Sequence, residues 1–555
     1  MLDLVLRNGT IIDGTGKPRF KADLGISKGK VVSMGNLSQA EAKRVIDISN
    51  LAVCPGFIDM HSHSDLSILA HRKATSSISQ GITTEVIGSC GWSMAPCKDE
   101  TKRDVIERLV KGLIDSESFH SMPWNWNSFG EYLDTVEATG TGVNLVPQVG
   151  QSLIRAHVVG TENRKATPGE IRAMKVILEQ ALEDGAWGMS TGRSYKPGGF
   201  APTEEIIELA KVLAQYDAIY ASHMKNESEE LFAAVEEVIK IAEETGVRTE
   251  ISHHKAVGKK NFGKVHKSLD MIDNARQKGL RITVDLYPYE FTQVSAFPRY
   301  LPQELWDHLE AQAQAVLVKT KTPNATRKAK PVFPSNEEIR EKLNDPDIAE
   351  KIKSYNELGT LLERIKSYMI ITSPSVPDLE GRILGEYAEE KGLALADFVI
   401  RLLLEDGFSA HAASPISIDD IHTVIKTPFA SPGTDAFALD RPIIETPIHP
   451  RHFGTFPRVI GRFVKQDNLF SLEEAVRKCT GFPARTMGLP ERGLIDIGYW
   501  ADLVVFDPET VIDTATGKEP YNAPAGIEYV MVNGQVAFEK GKHTPVFSGK
   551  VLRRK

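Results

Sequence analysis

The chain has 555 residues, of which 41% are hydrophobic and 25% charged, the composition of an ordinary globular protein able to bury a large core. Its 66 lysines and arginines stand against 74 aspartates and glutamates, a formal net charge of −8. That balance argues against a nucleic-acid or anionic-membrane partner, because both demand a basic face.

The first 55 residues read as short strands broken by turns at Asn8-Gly9 and Gly14-Thr15-Gly16, with a further strand pair at 24–26 and 30–34. Strands are then predicted at 52–60, 83–87, 142–149, 185–190, 218–222, 248–252, 281–286 and 429–431, the last running on to Asp435. Amphipathic helical stretches such as 168–184 and 227–245 lie between them. Eight strands with intervening helices point to a (β/α)8 TIM barrel over residues 56–485. The stretch from about 290 to 375 is too long for a βα loop and carries the Lys/Pro-rich segment 319–334. It reads as an insertion after the seventh strand that flanks the barrel mouth. Strand-like runs return at 501–506 and 527–532, the second entering a hairpin signal at Asn533-Gly534. Neither chain end has strands enough to close a sheet. Residues 1–55 and 486–555 are therefore expected to form one small β-sandwich or barrel domain.

The cysteines, Cys54, Cys90, Cys97 and Cys479, make no disulfide framework and favour a reducing compartment. The opening residues lack a secretory pattern, and no 18-residue apolar run exists, so a cytoplasmic protein without a membrane span is expected. The sequence leaves the oligomeric state open.

The sharpest motif is 55–65, an apolar run ending in His61-Ser62-His63. Residues i and i+2 of a strand share a face, so both imidazoles would point into the mouth of a barrel. The fifth strand runs into His223, the sixth into His253, and the eighth into Asp435. Four histidines and an aspartate at predicted strand ends suit a zinc, iron or manganese ion. The second strand runs into Cys90, whose thiolate would ligate zinc strongly.

This ligand order resembles the amidohydrolase superfamily, whose members hydrolyse amides, esters and lactams with one or two metals. Many of them carry a carbamylated lysine on the fourth strand, and residues 188–192 offer none. A cysteine at position 90 resembles the N-acyl-D-amino-acid deacylase (D-aminoacylase) branch. The likeness extends through the segments at 57–65, 81–96, 192–198, 223–227, 253–255, 287–289, 449–458 and 496–506. It implies that Cys90, His223 and His253 hold a tightly bound Zn2+. His61 and His63 would offer a second, weaker position near Asp435. It further implies that Asp435 is the catalytic base and acid, and that Lys255, Tyr195 and Tyr287 bind the substrate carboxylate or orient its amide. The implied partner is a small molecule, an N-acyl-D-amino acid. The chain departs from the family pattern at Lys225, where arginine is common, and at Gly150-Gln151, where Gly-His is common. It departs again at 290–295, where Phe291 adds bulk near the pocket. The alternative is a cyclic-amide hydrolase of the dihydroorotase or hydantoinase type, against which the missing lysine and Cys90 both argue.

Overall fold

The computed structural model describes residues 1–97, 106, 122–297, 362, 365–440 and 448–555. The chain opens with β1 (Leu2–Ile11), β2 (Phe20–Ser27), β3 (Lys30–Gly35), β4 (Ala42–Asp47) and β5 (Ala52–Pro55). β1, β2 and β3 pair antiparallel in turn, while β4 and β5 join β1 in parallel.

After Gly56 the chain enters the barrel. Its parallel strands are β6 (Phe57–Asp59), β7 (Ile82–Ile87), β8 (Asn144–Pro147) and β9 (Val149–Gly150). They continue with β10 (Gly188–Gly192), β11 (Ile219–His223), β12 (Arg248–Ile251) and β13 (Ile282–Leu286). β8 and β9 are one strand interrupted at Gln148, whose N–H still donates to Ile87 O at 2.9 Å.

A second antiparallel unit is inserted after β13. β14 (Ser295–Ala296) and β15 (Met369–Thr372) flank β16 (His411–Ala413). Phe297, Ile370, Leu384, Leu402 and Ala412 give this unit a core of its own. The unit runs past the expected limit near 375, because helices Leu384–Glu390 and Leu395–Glu405 bury their apolar faces in that core. The Lys/Pro-rich segment 319–334 lies outside the described residues.

β17 (Ala430–Pro432) completes the barrel beside β13. Closure between the last and first strands is made by Asp435 N–H donating to His61 O at 2.7 Å and His63 N–H to Ala436 O at 2.7 Å. The buried Asp59 reinforces this seam: its carboxylate accepts from the backbone N–H of His61 at 3.1 Å and of Thr434 at 2.8 Å, and from the Thr434 hydroxyl at 2.5 Å. The fold is thus the barrel of the sequence reading.

The outer helices are built as their sequences require. Helix Leu231–Thr245 buries Leu231, Ala234, Val235, Val238, Ile241 and Ala242, a stripe at helical spacing. It stops at Gly246, whose φ of +68° is the left-handed conformation that ends helices. Helix Pro168–Glu183 starts with a capping box, Thr167 and Glu170 satisfying each other's backbone N–H, and with proline in the first turn.

The C-terminal strands are β18 (Leu503–Phe506), β19 (Ile527–Val532), β20 (Gln535–Glu539) and β21 (Lys542–His543). β18 pairs antiparallel with β5, Val504 opposite Cys54, so both chain ends share one nine-stranded sheet. Its core takes Leu4, Leu6, Leu24 and Ile26 from one end and Leu503, Val505, Tyr529 and Met531 from the other.

Candidate metal centre

Each predicted ligand follows the C-terminal end of a barrel strand, the end at which barrels carry their sites. His61 and His63 follow β6, Cys90 follows β7, His223 ends β11, His253 follows β12 and Asp435 follows β17. The backbone is unusual at three of them. Cys90, His253 and Asp435 have φ of 53°, 35° and 49°. Left-handed non-glycine residues are sparse and concentrate at functional sites.

The side chains converge. Cys90 Sγ lies 3.3 Å from His61 Nε2, 3.5 Å from His253 Nε2 and 3.6 Å from His223 Nδ1. Asp435 Oδ1 lies 3.1 Å from His63 Nε2 and 3.4 Å from His61 Nε2. The donor atoms of His61, Cys90, His253 and Asp435 all lie within 4.8 Å of one another. Tetrahedral zinc with one sulfur and one nitrogen ligand separates the two by about 3.6 Å, given bonds of about 2.3 and 2.1 Å. The sulfur–nitrogen distances therefore suit a shared cation.

Carboxylates stand behind the imidazoles. His61 Nδ1–H donates to Asp285 Oδ2 at 3.2 Å, and Asp285 Oδ1 accepts the His253 backbone N–H at 2.8 Å. His253 Nδ1 lies 2.7 Å from Glu227 Oε1. Such partners fix the tautomer and aim the other ring nitrogen at the metal.

Burial alone would raise the Cys90 thiol, but His61, His223 and His253 outweigh it and bring the group well below its ordinary range. Burial would likewise raise Asp435. The Arg451 guanidinium, then His63, His253 and His61, hold it well below the usual carboxylate range. Arg451 Nη1 lies 2.7 Å from Asp435 Oδ2, and its Nη2 donates to Gln293 Oε1 at 3.0 Å.

The predicted substrate contacts lie around this cluster. Lys255 is buried, donates to Glu227 Oε1 at 2.7 Å and stands 5.5 Å above the Tyr287 ring. Arg451 packs on the same ring at 4.6 Å. Tyr195, 39% exposed, tilts against the His223 ring at 4.6 Å. Lys225 is drawn elsewhere, to Glu237 at 2.7 Å, and Phe291 packs on His449 at 4.5 Å. Asp59, Glu227, Asp285 and Arg451 were not singled out from sequence. Asp285 had a signal, a charge within the apolar strand β13, where an ionised side chain needs a partner.

A thiolate and imidazoles able to hold a borderline-soft cation, with an ionised carboxylate beside them, define a metal-dependent hydrolase centre in a barrel. The chain matches the amidohydrolase family over residues 44–256 and 403–538. It is 35% identical over 552 residues to a D-aminoacylase of Alcaligenes xylosoxydans xylosoxydans, covering 100% of this chain and 98% of that one. A D-aminoacylase structure with a binuclear metal centre superposes with a TM-score of 0.75 at 33% identity, covering 100% of both chains. The N-acyl-D-glutamate deacylase of Bordetella bronchiseptica, complexed with zinc and a phosphonate mimic of the tetrahedral intermediate, gives 0.74 at 31% identity, covering 100% of this chain and 99% of that one. The chain belongs to the amidohydrolase family and is a metal-dependent amidohydrolase. Within that family it falls in the N-acyl-D-amino-acid deacylase, or D-aminoacylase, branch.

Proposed function

We propose that the enzyme hydrolyses the amide bond of N-acyl-D-amino acids to a carboxylate and a free D-amino acid, with zinc as its metal. The observation that carries this reading is the Cys90 sulfur within 3.3–3.6 Å of three imidazole nitrogens, with Asp435 against the same cluster. Cys90, His223 and His253 would hold the tight ion, and His61 and His63 a weaker one beside Asp435. Zinc in such a site acidifies a water to a pKa of about 7 and polarises the scissile carbonyl.

The chain's own residues do the rest. Asp435, kept ionised by Arg451, accepts the proton of the attacking water. It then delivers that proton to the departing nitrogen, which cannot leave as an anion. Lys255 and Tyr287 receive the amino-acid carboxylate, and Tyr195 borders the amide. Anchoring the carboxylate fixes which enantiomer presents its acyl group to the ion. β10 carries no lysine to bridge two metals, which weighs against the cyclic-amide alternative.

The test compares N-acetyl-D-amino acids with their L-forms, dihydroorotate and hydantoins. Turnover is expected on the D-series alone, and faster turnover of a cyclic amide would overturn the reading. Asp435→Asn should retain the tight zinc and lose about 10²-fold or more in kcat. Lys255→Met should raise KM sharply with kcat less affected.

A further inference from the structure

Glu227 stands four residues beyond His223, in a loop pinned by the Val257 N–H donating to its carbonyl at 2.7 Å. One of its oxygens, Oε1, does two things at once. It lies 2.7 Å from His253 Nδ1 and 2.7 Å from Lys255 Nζ. Lys255 Nζ also donates to the His253 carbonyl at 3.0 Å. The carboxylate is therefore the common anchor of a metal-facing imidazole and of the buried ammonium two residues later.

This has two chemical consequences. Glu227 Oε1 at 2.7 Å from Nδ1 is closer than Lys255 Nζ at 2.9 Å and favours the proton on that nitrogen, which leaves the Nε2 lone pair facing Cys90 Sγ at 3.5 Å. The same oxygen also fixes the height of the ammonium over the Tyr287 ring. We propose that Glu227 is a positioning residue that couples the metal ligand His253 to the substrate-binding cation Lys255, so that ion and substrate carboxylate are held in one fixed relation. The His253 half stands on geometry alone; the Lys255 half rests on the function proposed above.

A competing role is direct ligation, since donor atoms of His223, Glu227 and His253 lie within 4.8 Å. An ion held by Glu227 and His253 Nδ1 would have to occupy the space of the Lys255 ammonium, which is 2.7 Å from one and 2.9 Å from the other. Two cations do not share that volume.

The test uses purified zinc enzyme and the variants Glu227→Gln and Glu227→Leu. Zinc affinity is measured by chelator competition and stoichiometry by elemental analysis, both without substrate. The leucine variant should bind zinc about 10–100-fold more weakly at unchanged stoichiometry. The glutamine variant keeps an oxygen for the Nδ1 proton and should recover most of that affinity. It loses the charge that holds Lys255, so its KM for the N-acyl-D-amino acid should stay raised several-fold while kcat changes less. Unchanged zinc affinity in the leucine variant, or an unchanged KM in the glutamine variant, would overturn the coupling. Loss of one zinc equivalent per chain would overturn it in favour of ligation. Should the leucine chain fail to fold, the glutamine variant decides: raised KM with zinc retained supports the proposal, and any other result sinks it. Failure of the functional reading looks different, for then the parent enzyme does not turn over the D-substrate although the zinc measurements still judge His253.

Discussion

Cys90 owes its place to two residues with different jobs. It takes the left-handed conformation itself, and Gly91 beyond it has φ +77° with room for nothing larger: an added Cβ would stand 2.5 Å from Gly192 N. The turn so formed points the sulfur across the barrel mouth toward histidines from β6, β11 and β12. Cys90→Ser keeps the shape but replaces a group that ionises beside three imidazoles with a hydroxyl that does not. Zinc retained against a competing chelator should fall by about 10-fold or more, the scale on which lost ligand support acts. Equal retention would remove Cys90 from the coordination sphere. The residues proposed as ligands stand out in the sequence because each closes an apolar strand within a few positions. Arg451 was not, since what defines it is an approach to Asp435, sixteen positions earlier in the chain and on another element. Nothing local in His-Pro-Arg carries that information.

At the scale of elements, the sequence reading places the barrel strands within a few residues and the domain boundary at 55/56, but reads the strands at 52–60 and 142–149 as unbroken. The apolar run 52–60 reads as one strand, yet it serves two sheets. Before Gly56 it is β5, paired with β1 and β18; after it, it is β6, paired with β7. Hydrophobicity gives burial and period but not the identity of the neighbour, so the strand pattern runs straight through the domain boundary that the sequence places between residues 55 and 56. Gly56 makes the switch of sheets possible. Its N–H donates to Asp502 O at 2.7 Å, and an added Cβ would fall 2.1 Å from Thr83 Oγ1 and 2.4 Å from its methyl. Gly56→Ala should therefore cost about 1–3 kcal/mol by overpacking. Adding Thr83→Ala, which removes both of those atoms, should return part of the loss in a double-mutant cycle followed by urea denaturation. Strict additivity of the two would show that the contact is not what limits position 56. His61 lies five residues downstream, so metal affinity should fall with stability in the single variant and recover with it in the double.

For the whole molecule, the ends of the chain clasp the barrel rather than trail from it. β18 joins β5 just before the barrel begins, and the last residues return to its foot: Leu145 N–H donates to Lys550 O at 2.9 Å, and Leu552 N–H to Leu145 O at 2.7 Å. Such interlocking makes unfolding a collective event, so a proton taken up by one buried group is felt as global stability. His452 is such a group. Its Nδ1–H donates to His449 O at 2.9 Å, its ring meets Phe437 edge-on at 4.5 Å, and among the described residues its Nε2 has no hydrogen-bond partner to receive a second proton. Burial first, and then the nearby Arg451 cation, oppose its protonation. The backbone carbonyl of His449 and the Asp435 carboxylate favour it but do not prevail, and the pKa is pushed down to about 3. A base depressed in the fold is neutral there while the unfolded chain binds a proton below about pH 6.5. In the window from about 6.5 to about 3 the unfolded state holds more protons, so stability falls as the pH is lowered, by up to about 1.4 kcal/mol per pH unit from this residue. His452→Gln places an amide N–H where Nδ1–H stood and removes the titration. Urea midpoints measured from pH 4.5 to 7 should then decline less steeply for the variant than for the parent. Parallel declines would mean that His452 is already protonated in the fold and that its ring has found an acceptor.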